Sequence, residues 1–139
     1  MSNMLIRTLL LAVVSGYMFT PSIFGCQCNE PGDTISEAKT ARAVFTGTVT
    51  SLSTRGGDFV EVHVHVIEKF KGAIKNGSDI QIETPSGGPA CGFAFSTGRT
   101  YLIYAHSGYT SSNLGVSHCS RTATLEESTE DLRVLRSLK

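Results

Sequence analysis

The sequence lacks an excess of charge of either sign, because its 139 residues contain 12 Lys and Arg against 12 Asp and Glu. Grooves for nucleic acid and faces for anionic membranes carry a clear positive excess, so we expect neither as the main partner. The sequence also lacks an apolar run of the ~20 residues that a membrane-spanning helix needs. The apolar run at residues 9–14 is far shorter, and we expect no membrane span.

Two features of catalytic sites are also missing. No G-x-S-x-G pattern, which would place a serine nucleophile on a sharp turn, occurs in the chain. The four cysteines are an even number, and in an exported chain they are expected to form two disulfides, which leaves no thiol nucleophile. We therefore expect no enzyme and no cofactor of the protein's own.

The N-terminal residues have the order of a secretory signal. An early cation, Arg7, precedes the apolar run, and the small residue Gly25 stands directly before Cys26. We expect residues 1–25 to be a cleaved signal peptide and residues 26–139 to be one secreted, extracellular domain. The stretch Ile23-Phe24-Gly25-Cys26 also resembles a bacterial lipobox, in which case Cys26 would be lipidated.

The cysteines allow three disulfide pairings. A bridge between Cys26 and Cys28 would close a tight ring that constrains nothing, so it ranks last. The other two pairings both tie the Cys26-Gln27-Cys28 motif to Cys91 and Cys119, and the sequence does not choose between them. A structural zinc held by all four is disfavoured, because their spacing fits no familiar zinc pattern.

The remaining sequence predicts a mainly β domain. Val60, Val62, Val64 and Val66 alternate with polar residues, as in a half-buried strand, and Gly47 inside another strand predicts a bulge or bend. Strands are predicted at residues 43–52, 59–70, 79–84, 99–106 and 113–117.

Two capping-box patterns predict a helix near each end of the domain. Thr34-x-x-Glu37 begins a short helix over residues 34–41, and Thr124-x-x-Glu127 begins a helix that runs to about residue 137. Five strands with these helices predict a closed barrel of the oligonucleotide/oligosaccharide-binding (OB) type. The four acids at 126–131 are expected to be a solvated helix start.

Two candidate sites follow from the residues themselves. His63 and His65 lie on one face of a strand at a spacing that can hold a metal, although two solvent-facing histidines explain the pattern as well. A free α-amine at Cys26 has a pKa near ~7.7–8.0, so part of it is neutral at physiological pH. A neutral amine can ligate zinc, and the carbonyl oxygen of the same residue closes a five-membered chelate ring.

Six short motifs resemble the N-terminal, netrin-like domain of the tissue inhibitors of metalloproteinases. They run in the same order through nearly all of residues 26–139: Cys26-Gln27-Cys28, Phe45-Thr46-Gly47-Thr48-Val49, Lys69-Phe70-Lys71-Gly72, Cys91-Gly92, Tyr101-Leu102-Ile103-Tyr104-Ala105 and Cys119-Ser120. The family's fold is a netrin-like barrel of the OB type, which agrees with the predicted strands.

The resemblance implies a function and a site. Cys26 would bridge to Cys91, and Cys28 to Cys119, and the Cys26 amine and carbonyl would chelate the catalytic zinc of a matrix-type metalloproteinase. The protein would act as a monomer. Its other protease-contacting residues would be Gln27, Cys28, Asn29, Pro89, Ala90 and Cys91.

The chain departs from the family pattern in three respects. It has no cysteines for the family's third bridge in this domain, and it has no segment corresponding to the family's C-terminal domain. Gln27 replaces the small β-hydroxy residue usual at that position. These departures support an alternative function as a netrin-like extracellular binding module without inhibitory activity.

Overall fold

A computed structural model describes residues 25–87, 91–110 and 113–139 of the chain. The predicted signal peptide, except for Gly25, lies outside the described residues, as do Pro89 and Ala90. The described elements, in chain order, are α1 (Thr34–Thr40), β1 (Ala43–Arg55), β2 (Phe59–Lys71), β3 (Asp79–Pro85), β4 (Thr100–Ser107), β5 (Leu114–Gly115), β6 (Ala123–Thr124) and α2 (Thr129–Ser137). In these residues no helix has the length and apolar character needed to cross a membrane.

The fold is mainly β, as predicted, and its strands form a six-stranded sheet. β1 pairs antiparallel with both β2 and β4, β2 pairs antiparallel with β3, and β5 joins β3 to β4. These pairings link five strands in a ring, and β6 adds to β4 outside it. The five predicted strands are therefore present, whereas the short β6 was not predicted.

Alternation on β2 decides which side of the sheet faces the core. Val62, Val64 and Val66 are fully buried, while His63 is half-buried and His65 is exposed, as the period-two pattern predicted. Full burial of each valine contributes roughly 1.5–3 kcal/mol to folding. The same core includes buried side chains from β1, β3 and β4, namely Phe45, Val49, Ile82 and Ile103, and that of Val116 directly after β5.

Gly47 marks a bulge in β1, as its sequence position predicted. The β1–β2 register shifts between Thr46 and Gly47. A Cβ at Gly47 would overlap a methyl group of Val64 and lie 3.0 Å from the carbonyl oxygen of His65. The absence of a side chain thus lets β2 approach β1 closely where β1 also pairs with β4.

α1 begins at Thr34 as predicted, but its N-cap is not the predicted residue, and α2 begins later than predicted. The N-cap of α1 is Asp33, whose carboxylate accepts from the amide of Ser36 at 2.8 Å; the predicted cap, Thr34, is buried instead. The prediction for α2 was wrong by a full turn, since the helix begins at Thr129. The backbone amide of Thr124 donates to the Glu127 carboxylate at 3.2 Å as in a capping box, but the backbone of Thr124 belongs to β6, so residues 125–128 form turns.

The helices pack on the outer face of β1 and β4. Leu132 and Leu135 of α2 are buried against Val44 and Leu102. Tyr104 belongs to the same cluster, so this second core lies outside the ring while the first lies within it. The helices thereby cover a sheet face that would otherwise expose apolar side chains to water.

Replacing Gly47 by alanine should lower the free energy of unfolding by roughly 1–3 kcal/mol, because the new methyl group overpacks the β1–β2 contact. Urea denaturation monitored by far-UV circular dichroism measures the effect. Ser51→Ala, at an exposed position of the same strand, is the matched control and should leave the midpoint unchanged. Equal midpoints for Gly47→Ala and Ser51→Ala would contradict the close approach.

Candidate functional site

The Cys26-Gln27-Cys28 motif is held by two disulfides that touch each other. Cys26 is bonded to Cys91 and Cys28 to Cys119, with Cα–Cα distances of 5.3 and 5.2 Å. This is the pairing that the family resemblance implies, and it excludes the tight Cys26–Cys28 ring. The sulfur of Cys26 lies 3.5 Å from that of Cys119 and 3.7 Å from that of Cys28, so the two bridges form one compact sulfur cluster.

The two loops that contain Cys91 and Cys119 are also hydrogen-bonded to each other. The amide of His118, next to Cys119, donates to the carbonyl oxygen of Cys91 at 2.7 Å, and Gly92 forms an isolated β-bridge with Ser117. The two anchor cysteines therefore belong to one hydrogen-bonded platform. The motif is fastened to this platform at both of its cysteines.

Gly92 fits the platform tightly against the end of β3. A Cβ at Gly92 would overlap the backbone carbonyl of Pro85. The preceding residue, Cys91, has a φ of 59°, a left-handed conformation that non-glycine residues rarely adopt. The resulting turn at Cys91-Gly92 brings the Cys91 side chain to the sulfur of Cys26.

The tethered motif itself lies on the surface. Cys26 is half-buried, whereas Gln27, Cys28 and Asn29 are exposed and belong to no helix or strand. The Gln27 side chain therefore projects from a backbone that is bridged on both sides. Pro89 and Ala90, the other half of the predicted contact ridge, lie outside the described residues.

The chain just after the Cys26-Gln27-Cys28 motif is restrained by hydrogen bonds that involve the buried carboxylate of Asp131. The Asp131 carboxylate accepts two hydrogen bonds from Arg121 at 2.7 and 2.9 Å, one from the hydroxyl of Thr34 at 2.7 Å and one from that of Tyr104 at 2.9 Å. Arg121 also donates to the carbonyl oxygen of Gly32 at 2.9 Å. The segment that follows the disulfides is thus bonded to α2 and to the loop after Cys119.

The expectation of four solvated acids at 126–131 was wrong for Asp131, which is only 7% exposed. It is buried because three donors from distant parts of the chain converge on it, and a buried carboxylate needs such partners. Glu126, Glu127 and Glu130 are exposed as expected. No local pattern distinguishes Asp131 from these neighbours; Arg121, a cation outside every predicted helix and strand, was the signal that could have indicated a partner.

Burial and pairing act in opposite directions on the pKa of Asp131. Burial alone would raise it, but the hydrogen bonds from Arg121, Thr34 and Tyr104 outweigh burial and lower the pKa below the ordinary value of an aspartate. Burial, reinforced by the hydrogen bond to Asp131, raises the pKa of Tyr104. Asp131 therefore remains ionised and Tyr104 protonated across the physiological range.

The predicted histidine pair does not converge on a metal-type cluster in the described part of the chain. His65 Nδ1 lies 2.8 Å from a carboxylate oxygen of Asp79, and His63 stands opposite Gln81 in the sheet. Among the described residues, one group of three metal-type side chains brings its ligand atoms within 4.8 Å of one another, namely Cys26, Cys28 and Cys119. All four cysteines are in disulfides, so none of these sulfurs is a thiolate.

The sequence matches no protein-family model, and its comparison with curated proteins finds no match. The geometry of the site must therefore support a function by itself. That geometry is an exposed, doubly bridged C-x-C segment on a hydrogen-bonded platform, followed in the chain by Gly32, which the partly buried Arg121–Asp131 ion pair restrains.

Replacing Asp131 by asparagine should lower the free energy of unfolding at pH 7 by roughly 2–3 kcal/mol. This is less than the ~3–5 kcal/mol for breaking a fully buried pair, because the Arg121 side chain is 28% exposed. Urea denaturation gives the value. Glu130→Gln, which breaks an exposed pair with Arg133, is the control and should lower the stability much less, because exposed ion pairs contribute little. Equal losses in the two variants would contradict the central role of Asp131.

The difference between the wild type and Asp131→Asn should depend on pH with a definite sign. Because folding lowers the pKa of Asp131, its stabilisation is complete above the unfolded pKa of about 3.9. The stabilisation is lost as the pH falls from there through the folded pKa. Denaturation at a series of pH values should show the difference shrinking below about pH 4. A difference that stays constant down to pH 2 would indicate that the carboxylate charge is not the stabilising feature.

Replacing Gly92 by alanine should displace the Cys91 turn from β3 and destabilise the fold by at least ~1–3 kcal/mol, since the clash is with backbone rather than with a flexible side chain. Thermal denaturation of the oxidised protein measures the loss. Ala94→Ser, an exposed change two residues later, should leave the melting temperature within experimental error. An unchanged melting temperature for Gly92→Ala would show that the platform does not need the close contact with Pro85.

Proposed function

We propose that this chain is a secreted, monomeric, single-domain inhibitor of zinc metalloproteinases. Mature Cys26 would chelate the catalytic zinc of the target through its main-chain amine and carbonyl. The observation that carries the proposal is the pair of touching disulfides that hold Cys26 and Cys28 while Gln27 stays exposed. We also infer that the ring of five strands is the closed, netrin-like barrel of the OB type.

The chemistry of the proposed contact needs two atoms in a fixed relation. Catalytic zinc keeps one coordination position open for water and can expand to five ligands, so a neutral amine would displace the water while the adjacent carbonyl oxygen adds the fifth ligand and closes the chelate. Cleavage after Gly25 would create the amine. Since the disulfide to Cys91 already restrains this residue, little conformational freedom is lost on binding.

The residues after Cys26 would lie along the protease cleft. Gln27 would enter the pocket beside the zinc, and Cys28 with Asn29 would continue along the substrate groove. Their exposure in the structure supports this arrangement. Pro89 and Ala90 would form the second half of the contact ridge, next to Cys91.

Gln27 also motivates the alternative function. The Gln27 side chain is longer than that of the small β-hydroxy residue at this position in the tissue inhibitors of metalloproteinases. It would therefore fit only those protease pockets that are large enough. If every pocket excludes it, the same domain serves as an extracellular binding module without inhibitory activity. The state of the Cys26 amine distinguishes the two, because acylation, lipidation or extension removes the zinc ligand.

One added alanine before Cys26 should abolish the chelate and weaken inhibition roughly 30-fold or more, the scale of a lost interface hot spot. The measurement is a titration of matrix-type metalloproteinases with each protein, using a fluorogenic peptide substrate. Mass spectrometry first establishes that the parent protein begins at Cys26. The matched control carries the added alanine after Lys139 and should inhibit like the parent.

Two results would overturn the proposal. Undiminished inhibition by the N-terminally extended protein would refute zinc chelation by the Cys26 amine. The absence of inhibition across the panel, with Cys26 confirmed as the free terminus, would refute the inhibitory function and favour the binding module.

A further inference from the structure

A groove of about 440 Å³ separates α1 from α2 on the outer face of the sheet. Val44 of β1 and Phe70 of β2 line it from the sheet, Ile35 and Ala38 line it from α1, and Leu135 and Leu138 line it from α2. None of the cysteines contributes to its lining. The volume is within the range of small-molecule sites, ~300–1,000 Å³, which are mostly apolar with a few polar groups.

The walls of the groove expose apolar surface to water. Ile35 is 41% exposed and Leu138 is 60% exposed, and they stand on opposite helices. Two large aliphatic side chains facing one apolar groove gain free energy when a ligand covers them, at roughly 25 cal/mol per Å² removed from water. The groove therefore favours a ligand with an aliphatic body.

Every charged side chain that lines the groove is a lysine: Lys39, Lys71 and Lys139. This is a local excess in a chain whose acidic and basic side chains are equal in number. Lys139 is 2.8 Å from Glu68, which also pairs with Arg136, so a single acid faces two cations there. Lys39 forms no ion pair with any residue that the structure describes. Lys39 interacts with the Asp33 carboxylate only beyond ion-pair distance, so the border of the groove retains a positive excess.

The polar lining also restricts the ligand by hydrogen-bond type. A lysine ammonium group only donates. Lys71 already donates to the carbonyl oxygens of Ala38 and Lys39, at 2.8 and 2.7 Å, which occupies acceptors at the end of α1. A peptide would bring N–H donors into a lining whose polar side chains offer no acceptor. A carboxylate brings acceptors only and matches the lysines.

We propose that this groove binds a long-chain aliphatic carboxylate, the chemistry of a fatty acid. The aliphatic chain lies between the exposed side chains of Ile35 and Leu138, and the carboxylate pairs with Lys39 at the end of α1. This site is separate from the Cys26 segment and does not depend on the proposed inhibition.

Isothermal titration calorimetry with sodium dodecanoate, below its micelle concentration, tests the proposal on the oxidised protein. We expect saturable binding at one site, weakened by salt because the pairing is exposed. Dodecanol, which has the same chain without the charge, should bind more weakly. Dodecanoate that binds with no saturation, or no more tightly than dodecanol, would overturn the carboxylate assignment.

Substitutions of residues that line the groove test whether dodecanoate binds there. Lys39→Gln should weaken dodecanoate binding about threefold, as expected for the loss of one exposed ion pair, and Leu138→Ser should weaken it further through lost apolar contact. Lys75→Glu, an exposed change in the β2–β3 turn, is the control and should bind like the wild type. Circular dichroism checks that α1 persists.

Three outcomes would refute the site. Equal binding by the wild type, Lys39→Gln and Leu138→Ser would place the ligand elsewhere. Absence of any binding heat or of dodecanoate-induced chemical-shift changes in α1 and α2 would exclude it. Binding of an acidic amphipathic helical peptide or of anionic lipid vesicles, with no binding of free dodecanoate, would assign the groove to another class of partner.

Discussion

The arrangement of the two helices on the sheet depends on the hydrogen bonds that the buried carboxylate of Asp131 accepts. It accepts hydrogen bonds from Thr34 in α1, from Tyr104 in β4 and from Arg121 in the loop after Cys119. Thr34 and Asp131 are 97 residues apart in sequence. An ionised carboxylate that loses water must recover the lost hydration from donors, so the three segments can close over it only together.

The same carboxylate complements the disulfides in restraining the exposed C-x-C segment. The disulfides fix Cys26 and Cys28 to a platform, and Arg121, held by Asp131, fixes Gly32. Covalent bonds alone would leave residues 29–33 as a flexible continuation of the chain. With both ends of this short stretch restrained, the exposed segment has a defined direction, and that is the property a rigid inhibitory edge requires.

The sequence predicted those features that depend on local pattern. The alternation of valines on β2 and the bulge at Gly47 were confirmed, because burial on a pleated strand has a period of two and a glycine inside a strand often marks a bulge or a close approach of another strand. The start of α2 and the burial of Asp131 were not predicted, since each depends on contacts with residues far away in the chain. Thr124 has capping-box chemistry, yet its backbone pairs with Tyr101 of β4, and this pairing overrides the helical preference.

Glu83 shows the same dependence on distant residues. It follows the buried Ile82 on β3, where alternation would place it in solvent, yet it is only 2% exposed. The loop after β4 covers it, and its carboxylate accepts from Tyr109 and Thr110. A second buried acid thus organises a second loop. Like Asp131, it could be recognised only after the donors had been placed beside it.

Asp131 also connects the two surfaces to which we assign binding. Through Arg121 it supports the segment behind Cys28, and through Thr34 it holds α1 against α2, the helices that form the walls of the lysine-bordered groove. At the other end of α1, Lys71 of β2 donates to the carbonyl oxygens of Ala38 and Lys39. The helix is therefore held by polar contacts at both of its ends, and its position over the sheet does not depend on apolar side chains that fill the groove between them.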